Sequence, residues 1–204
     1  MTGENSVQRI ISWRRINWLG LAGGAATVAL IAVSLFVPWW QFKLGDPDQA
    51  IAEANVSPLN TNFQGLGSSF TVPLLLALNV ASVLSLAAGG IAMLIYSLLP
   101  AKSYSKRLLR FGYMKPLYSV AFFAISLVAL TLLVKGLLGF GIPVVGSSTL
   151  QLTGSMTQGA SVSVLVSAGF HWPFYLAVVA AGLCVAARFY HKKVGVVQAA
   201  AAIQ

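Results

Sequence analysis

The sequence predicts an all-α integral membrane protein. It predicts a four-transmembrane-helix bundle with cytoplasmic N and C termini and a small β-prone extracytoplasmic region made by two loops of about 30 residues. Of the 204 residues, 57% are hydrophobic and only 8% are charged, whereas about 25% of the residues in soluble domains carry a charge. Long apolar runs alternate with polar segments, and most basic residues fall in every second polar segment.

The basic residues set the predicted orientation. All but Lys43 and Lys135 fall in three clusters: Arg9, Arg14, Arg15, Lys102, Lys106, Arg107, Arg110, Lys115, Arg188, Lys192 and Lys193. The densest cluster, residues 102–115, lies between two apolar runs, and short loops rich in Lys and Arg stay on the cytoplasmic side. The net charge of +9 therefore indicates a multi-pass protein of the plasma (cytoplasmic) membrane, with no nucleic-acid partner.

The first part of the chain follows from this orientation. Residues 1–15 are a cytoplasmic N-terminal segment, and residues 16–40 are the first span, closed by an aromatic anchor at Pro38-Trp39-Trp40. Residues 41–71 form the first outer loop, which is too long for a bare connector and could add a strand. Asn55-Val56-Ser57 matches a glycosylation sequon, which makes Asn55 a candidate acceptor.

The middle of the chain supplies two more spans. Residues 72–99 are the second span, and Pro73 suits the first turn of its helix. Residues 100–116 are the basic cytoplasmic loop. Pro116 then opens the third span, residues 117–139.

The last part of the chain repeats the pattern of outer loop and span. Residues 140–169 are an uncharged second outer loop, which alternates polar and apolar residues on both sides of a turn-forming stretch and so predicts a β-hairpin. Residues 170–189 are the fourth span, and residues 190–204 are a cytoplasmic tail. The pattern leaves open whether the two outer loops form one sheet.

Small residues spaced by one helical turn predict where the spans pack. Such residues let helix backbones approach closely, and they are Gly20, Gly24, Ala81, Ser85, Gly89, Ala177 and Ala181. Two polar residues lie within apolar runs. Asn79 is expected to form an interhelical hydrogen bond, and Lys135 is expected to reach the outer interface or to face a partner or an anionic ligand.

A second set of residues is expected to contact lipid. Lys and Arg near the cytoplasmic surface attract anionic lipid head groups. The candidates are Arg14, Arg15, Lys106, Arg107, Arg110 and Lys115.

The search for catalytic chemistry predicts no catalytic residue and no metal ligand. Cys184 is the one cysteine, so a Cys-rich metal site is excluded. His171 and His191 lie at opposite ends of the fourth span, ~30 Å apart on a continuous helix, and cannot share a haem in one subunit. His171 is the one candidate for a cofactor contact. Lipids are the expected ligands, and haem or quinone is not excluded as a cofactor. The sequence favours a protein that is not an enzyme.

The layout resembles that of the claudin-like tetraspans. The likeness rests on Pro38-Trp39-Trp40 at the close of the first span, on four spans with both ends inside, and on strand-prone outer loops. The paired loop cysteines and the Gly-Leu-Trp motif of that family are absent here. The resemblance therefore implies a shared architecture and carries no function across.

The leading functional hypothesis is a non-catalytic accessory or scaffolding subunit of a larger membrane complex, for instance a respiratory one. Its expected partners are other integral membrane subunits or further copies of itself, together with anionic lipids. One alternative is a quinone- or haem-interacting redox subunit using His171. Unchanged reduced-minus-oxidised spectra in His171→Ala membranes would remove it. Another is a homo-oligomeric channel or permease lined by Asn79 and Lys135. It predicts ion or solute flux in liposomes that Asn79→Leu alters, and no flux from a well-folded preparation would count against it.

Overall fold

The computed structural model describes most of the chain. The described residues are 16–46, 49–59, 61–65, 68–70, 72–99, 104–139, 141–152 and 162–201. Within these ranges the helices are α1 (Trp18–Val33), α2 (Pro73–Leu98), α3 (Ser105–Leu138) and α4 (Trp172–Ala201). The strands are β1 (Trp40–Asp46), β2 (Gln49–Val56), β3 (Thr61–Gly65), β4 (Ser68–Phe70), β5 (Gly146–Leu152) and β6 (Val162–Phe170).

Three of the described helices, α2, α3 and α4, are long and apolar enough to cross a membrane. α1 is also apolar, but its 16 residues make it shorter than the others. Large apolar side chains on the long helices are more than half exposed: Leu84, Ile91, Ile125, Val128, Leu132 and Val179. An apolar exterior of this extent suits contact with lipid, so the helices mark a membrane protein.

The two outer loops form one six-stranded antiparallel sheet, in the strand order β4-β3-β2-β1-β6-β5. The loops join where β1 pairs with β6, with Trp40 opposite Phe170. The predicted hairpin is present, since β5 pairs with β6 along its whole length. The protein is therefore mostly helical with a small antiparallel sheet, which is larger than the single predicted hairpin. Turn formers divide the first loop into four strands, one of them only three residues long, and alternation over so few residues is hard to detect.

The sheet lies at one end of the bundle, here called the outer end. Each helix meets the sheet there, because β1 follows α1, α2 follows β4, β5 follows α3 and α4 follows β6. The opposite, inner end therefore holds the start of α1, the end of α2, the start of α3 and the end of α4. The basic clusters of α3 and α4 lie at this inner end.

The first helix ends earlier than the predicted first span. α1 stops at Val33, where the hydroxyl of Ser34 donates to the Leu30 carbonyl at 2.6 Å, and β1 begins at Trp40. Trp39 and Trp40 are therefore not interfacial anchors. They are 0% and 1% exposed, in the apolar core between the sheet and the helices.

The third span begins earlier than predicted. α3 starts at Ser105, so residues 105–116 of the predicted loop are helical and Pro116 lies inside the helix. Proline removes one helical hydrogen bond. Its ring instead packs against α2 at Gly89, where an added Cβ would lie 2.6 Å from the Pro116 Cδ. This tertiary contact offsets the local cost.

The remaining helix ends are close to the predicted ones except at the C-terminus. α2 begins at Pro73, and α3 ends before Gly139, whose φ of 77° closes the helix in the left-handed conformation. α4 begins at Trp172 but continues to Ala201, through most of the predicted tail.

Candidate functional site

The outer end presents an exposed strand edge. β5 borders the sheet on one side, and among the described strands only β6 pairs with it. Its residues, Gly146–Leu152, carry no charge, and residues 144–149 are exposed. The register with β6 has no bulge over seven residues. A regular, uncharged edge is the form that accepts a strand from another chain.

Trp39 fastens this sheet to the bundle. Its indole Nε1 donates to the Ser34 Oγ at 2.7 Å, and its ring centroid lies 4.9 Å from that of Phe123 on α3. Its backbone NH donates to the Val56 carbonyl, and its carbonyl accepts from the His171 NH. One residue thereby joins α1, β2, α3 and the start of α4.

His171, the candidate cofactor contact, lies half-buried at the base of the sheet. It lines two cavities of about 290 and 230 Å³, and Gln41 of β1 lines both. The described residues contain no group of three His, Cys, Asp or Glu side chains that could hold a metal ion.

A buried network of hydrogen bonds connects three helices at the inner end. Asn17 caps α1, because its Oδ1 accepts from the Gly20 NH at 3.0 Å. Its Nδ2 donates to the Tyr96 hydroxyl and to the Ala187 carbonyl, both at 3.0 Å. The Tyr96 hydroxyl also lies 2.8 Å from the His191 Nδ1. The network therefore links α1, α2 and α4.

The predicted small residues lie at helix contacts on α1, α2 and α4. An added Cβ on Gly20 would lie 2.5 Å from the Ser97 Oγ, and one on Gly24 would lie 3.0 Å from the Leu94 side chain. Ser85, Gly89, Ala177 and Ala181 are buried, and Ala81 is partly exposed. Gly23 of α1 packs closely against α4, because an added Cβ there would lie 3.0 Å from the Cys184 backbone nitrogen.

The two predicted intramembrane polar residues have different surroundings. Asn79 is 3% exposed within the bundle, whereas Lys135 is exposed near the outer end of α3. Another pair supplies a hydrogen bond between helices, since the Ser82 Oγ of α2 donates to the Ser119 carbonyl of α3 at 3.1 Å.

The predicted head-group residues differ in their surroundings. Lys106, Arg107 and Arg110 are exposed on the first turns of α3. Lys115 lies with its Nζ 5.0 Å from the Phe111 ring centroid. Arg14 and Arg15 lie outside the described residues.

Asn55, the glycosylation candidate, lies in β2 between β1 and β3. Its Nδ2 donates to the Glu53 Oε1 at 2.5 Å, and its Oδ1 accepts from Gln41. The side-chain amide of Asn55 is therefore engaged with its strand neighbours Glu53 and Gln41.

Sequence reasoning missed the inner network and its neighbours. Asn17 precedes an apolar run, which is the pattern of a helix cap, so it could have been found. Tyr96, Ser82 and Tyr113 lie on apolar or basic helices, and nothing in their spacing indicates which partner they meet.

The comparisons with known proteins agree in finding no relative: no protein-family model matches this chain, and no curated protein matches it. The geometry of the two ends is therefore the basis for a functional proposal.

Proposed function

We propose that this chain is a non-catalytic tetraspan membrane protein that acts as an accessory or scaffolding subunit of a larger membrane complex. The observation that carries this proposal is the exposed edge of β5. Uncharged, regular edges are normally shortened, charged or covered, because they pair readily with other strands. A strand from the outer region of a second membrane subunit would complete the sheet at this edge.

The partner is expected to lie in the same membrane. The sheet lies directly on the outer helix ends, so its edges are held close to the membrane surface. An outer strand of another integral membrane protein lies at a similar height and needs little reorientation to pair with β5. The partner adds backbone hydrogen bonds without needing a charged side chain opposite this strand.

The proposal includes α1 as the fourth span. α1 extends ~24 Å at 1.5 Å per residue, and both of its ends meet the other helices. At the inner end the Asn17 NH donates to the Ser97 carbonyl of α2, and at the outer end Leu30 belongs to the core beneath the sheet. Both termini then lie on the side of the basic clusters, which is the cytoplasmic side of the plasma membrane.

The test is a charge on the β5 edge with a matched control. Thr149→Lys places a charge on β5, opposite Leu165 of β6. Ser163→Lys places the same charge on the same face, opposite Gln151, but on β6, which lies between β1 and β5 in the strand order and does not border the sheet. We expect Thr149→Lys to dissociate the complex in mild detergent and Ser163→Lys to leave it intact.

The measurement is the mass of the purified species, combined with photocrosslinking from position 149. Crosslinks to a larger subunit support the accessory role, and crosslinks between copies of this chain support a homo-oligomeric scaffold. A single monomeric species in wild type and both variants, with no crosslink at position 149, would contradict the proposal.

A further inference from the structure

We infer that the inner end holds a site for the phosphate group of an anionic phospholipid, between α3 and α4. A cavity of about 330 Å³ opens there, lined by Lys106, Leu109, Arg110, Tyr113 and Arg188. Its volume falls within the ~300–1,000 Å³ of typical ligand pockets. Three of the five lining residues are cations, and basic pockets between membrane helices are suited to lipid head groups.

Arg188 is held in position for such a ligand. Its Nη1 donates to the Tyr113 hydroxyl at 2.7 Å, and its guanidinium carbon lies 4.9 Å from the Tyr113 ring centroid. Among the described residues, Tyr113 is the hydrogen-bond partner of this guanidinium, which leaves further NH groups for a ligand. A planar guanidinium fixed in this way can bind two phosphate oxygens at once.

Cations at the start of α3 lie at a helix end where positive charge is electrostatically unfavourable. Lys106, Arg107 and Arg110 follow directly after the N-terminus of α3, which has no acidic residue in its first turn. The helix dipole makes this end positive, so cations here are destabilising and an anion is stabilising. The carboxylates of the described residues, Asp46 and Glu53, lie in the sheet at the outer end. A bound phosphate would supply the missing negative charge.

A neighbouring cavity favours a lipid over a free phosphate. It has a volume of about 350 Å³, shares Arg110 with the first, and is lined by Arg107, Phe111, Met114, Lys115 and Tyr118. Phe111, Met114 and Tyr118 therefore continue from the cationic cavity along α3, with Arg107 and Lys115 beside them. This arrangement fits a molecule with a charged head and an apolar body.

This site goes beyond the proposed role in a complex, because it uses neither β5 nor the sheet. It also differs from a diffuse basic surface, because it assigns a particular role to Arg188 and Tyr113. Failure of the β5 experiment would leave the lipid site untouched, and the reverse also holds.

Native mass spectrometry of the delipidated full chain in mild detergent tests the site, with phosphatidylglycerol, phosphatidylcholine and inorganic phosphate as probes. We expect one phosphatidylglycerol per chain, bound about tenfold more tightly than phosphatidylcholine and not displaced by inorganic phosphate. Arg188→Gln should weaken this binding about tenfold, as expected for loss of a hydrogen bond to a charged group. Tyr113→Phe, which keeps the ring, should weaken it less.

Arg188→Lys is the matched control. It keeps the positive charge at this position but removes the planar guanidinium that contacts Tyr113, so diffuse attraction predicts unchanged binding, whereas this site predicts a loss close to that of Arg188→Gln. Equal binding of phosphatidylglycerol by wild type and Arg188→Lys would overturn the site, as would equal binding of the two lipids. Displacement by inorganic phosphate would assign the cavity to a soluble phosphate instead of a lipid and would also overturn the proposal.

Discussion

At the scale of single residues, helix contacts in this protein depend on glycines that leave no room for a side chain. Gly89 of α2 is the clearest example, since an added Cβ would lie 2.6 Å from the Pro116 Cδ and 2.7 Å from the Lys115 Cβ. The proline ring is rigid and cannot rotate away. Gly182 of α4 has nothing within 4 Å of the same added atom. The two glycines therefore differ in role: Gly89 is needed for close packing of α2 on α3, and Gly182 is not needed for any such contact among the described residues.

The first prediction follows from this difference. Gly89→Ala should destabilise the bundle by ~1–3 kcal/mol, the usual cost of overpacking. Gly182→Ala should be neutral or slightly stabilising, because alanine favours helix more than glycine does. Thermal unfolding in mild detergent, followed by far-ultraviolet circular dichroism, measures both. Equal melting temperatures for the two variants would show that α2 and α3 do not pack as described.

At the scale of elements, the main question is how a sheet and a helical bundle share one core. Trp39 lies between them and is completely buried. Its ring meets Phe123 of α3 and Phe174 of α4, and its backbone pairs with Val56 and His171. The sheet therefore cannot move independently of the outer helix ends.

The second prediction concerns the contact that Trp39 makes between the sheet and the helices. Trp39→Ala should cost ~3–5 kcal/mol, as for other large-to-small changes at buried aromatic residues. It should also increase the rate at which a protease cleaves the first outer loop. Trp172→Ala is the matched control, because Trp172 is 55% exposed at the start of α4. A protease pattern unchanged by Trp39→Ala would mean that the sheet is held by other contacts.

At the scale of the whole molecule, the sheet and the basic clusters of α3 and α4 lie at opposite ends of the helices. The described part of β5 carries no charge, whereas the inner end of α3 carries several cations. Basic loops are retained on the cytoplasmic side, which predicts that the sheet faces outward. This polarity separates the two proposed activities, with protein contacts outside and lipid contacts inside.

The third prediction tests the polarity and the number of spans. Ser6→Cys, Lys106→Cys and Ser148→Cys, each in a Cys184→Ala background, should react differently with a membrane-impermeant maleimide. In intact cells only Ser148→Cys should be labelled, and the other two should react after permeabilisation. Labelling of Lys106→Cys in intact cells would reverse the orientation. Labelling of Ser6→Cys there would mean that α1 does not cross the membrane.

Much of the helical part was predictable because its signals are local and long. The start of α2 at Pro73 and the end of α3 before Gly139 follow from proline and glycine at run boundaries. The hairpin of β5 and β6 follows from alternation on both sides of a turn. The start of α3 could not be predicted, because local rules place a helix boundary at Pro116, whereas α3 continues through this residue and packs its ring against Gly89 of α2.

The candidate sites were less predictable than the helices. The small residues and the basic cluster were visible as patterns, but the partners of Arg188 and Asn17 were not. Tyr113 and Arg188 are 75 residues apart in the sequence, and Asn17 and Ala187 are 170 residues apart, yet each pair is hydrogen-bonded. Contacts of this kind depend on how the helices are arranged, and composition and spacing do not record that arrangement.

By itself the sequence determined that this is a membrane protein with apolar helices, basic residues at one end and strand-forming loops at the other. These properties depend on composition, periodicity and charge, which each segment carries independently of its neighbours. Only the tertiary structure decided that both loops form one sheet, that Trp39 and Trp40 are buried beneath it, and that three cations surround one cavity. Those features require contacts between segments that are distant in sequence. The free energy of such a contact depends on both segments together, so the pattern within either segment does not predict it.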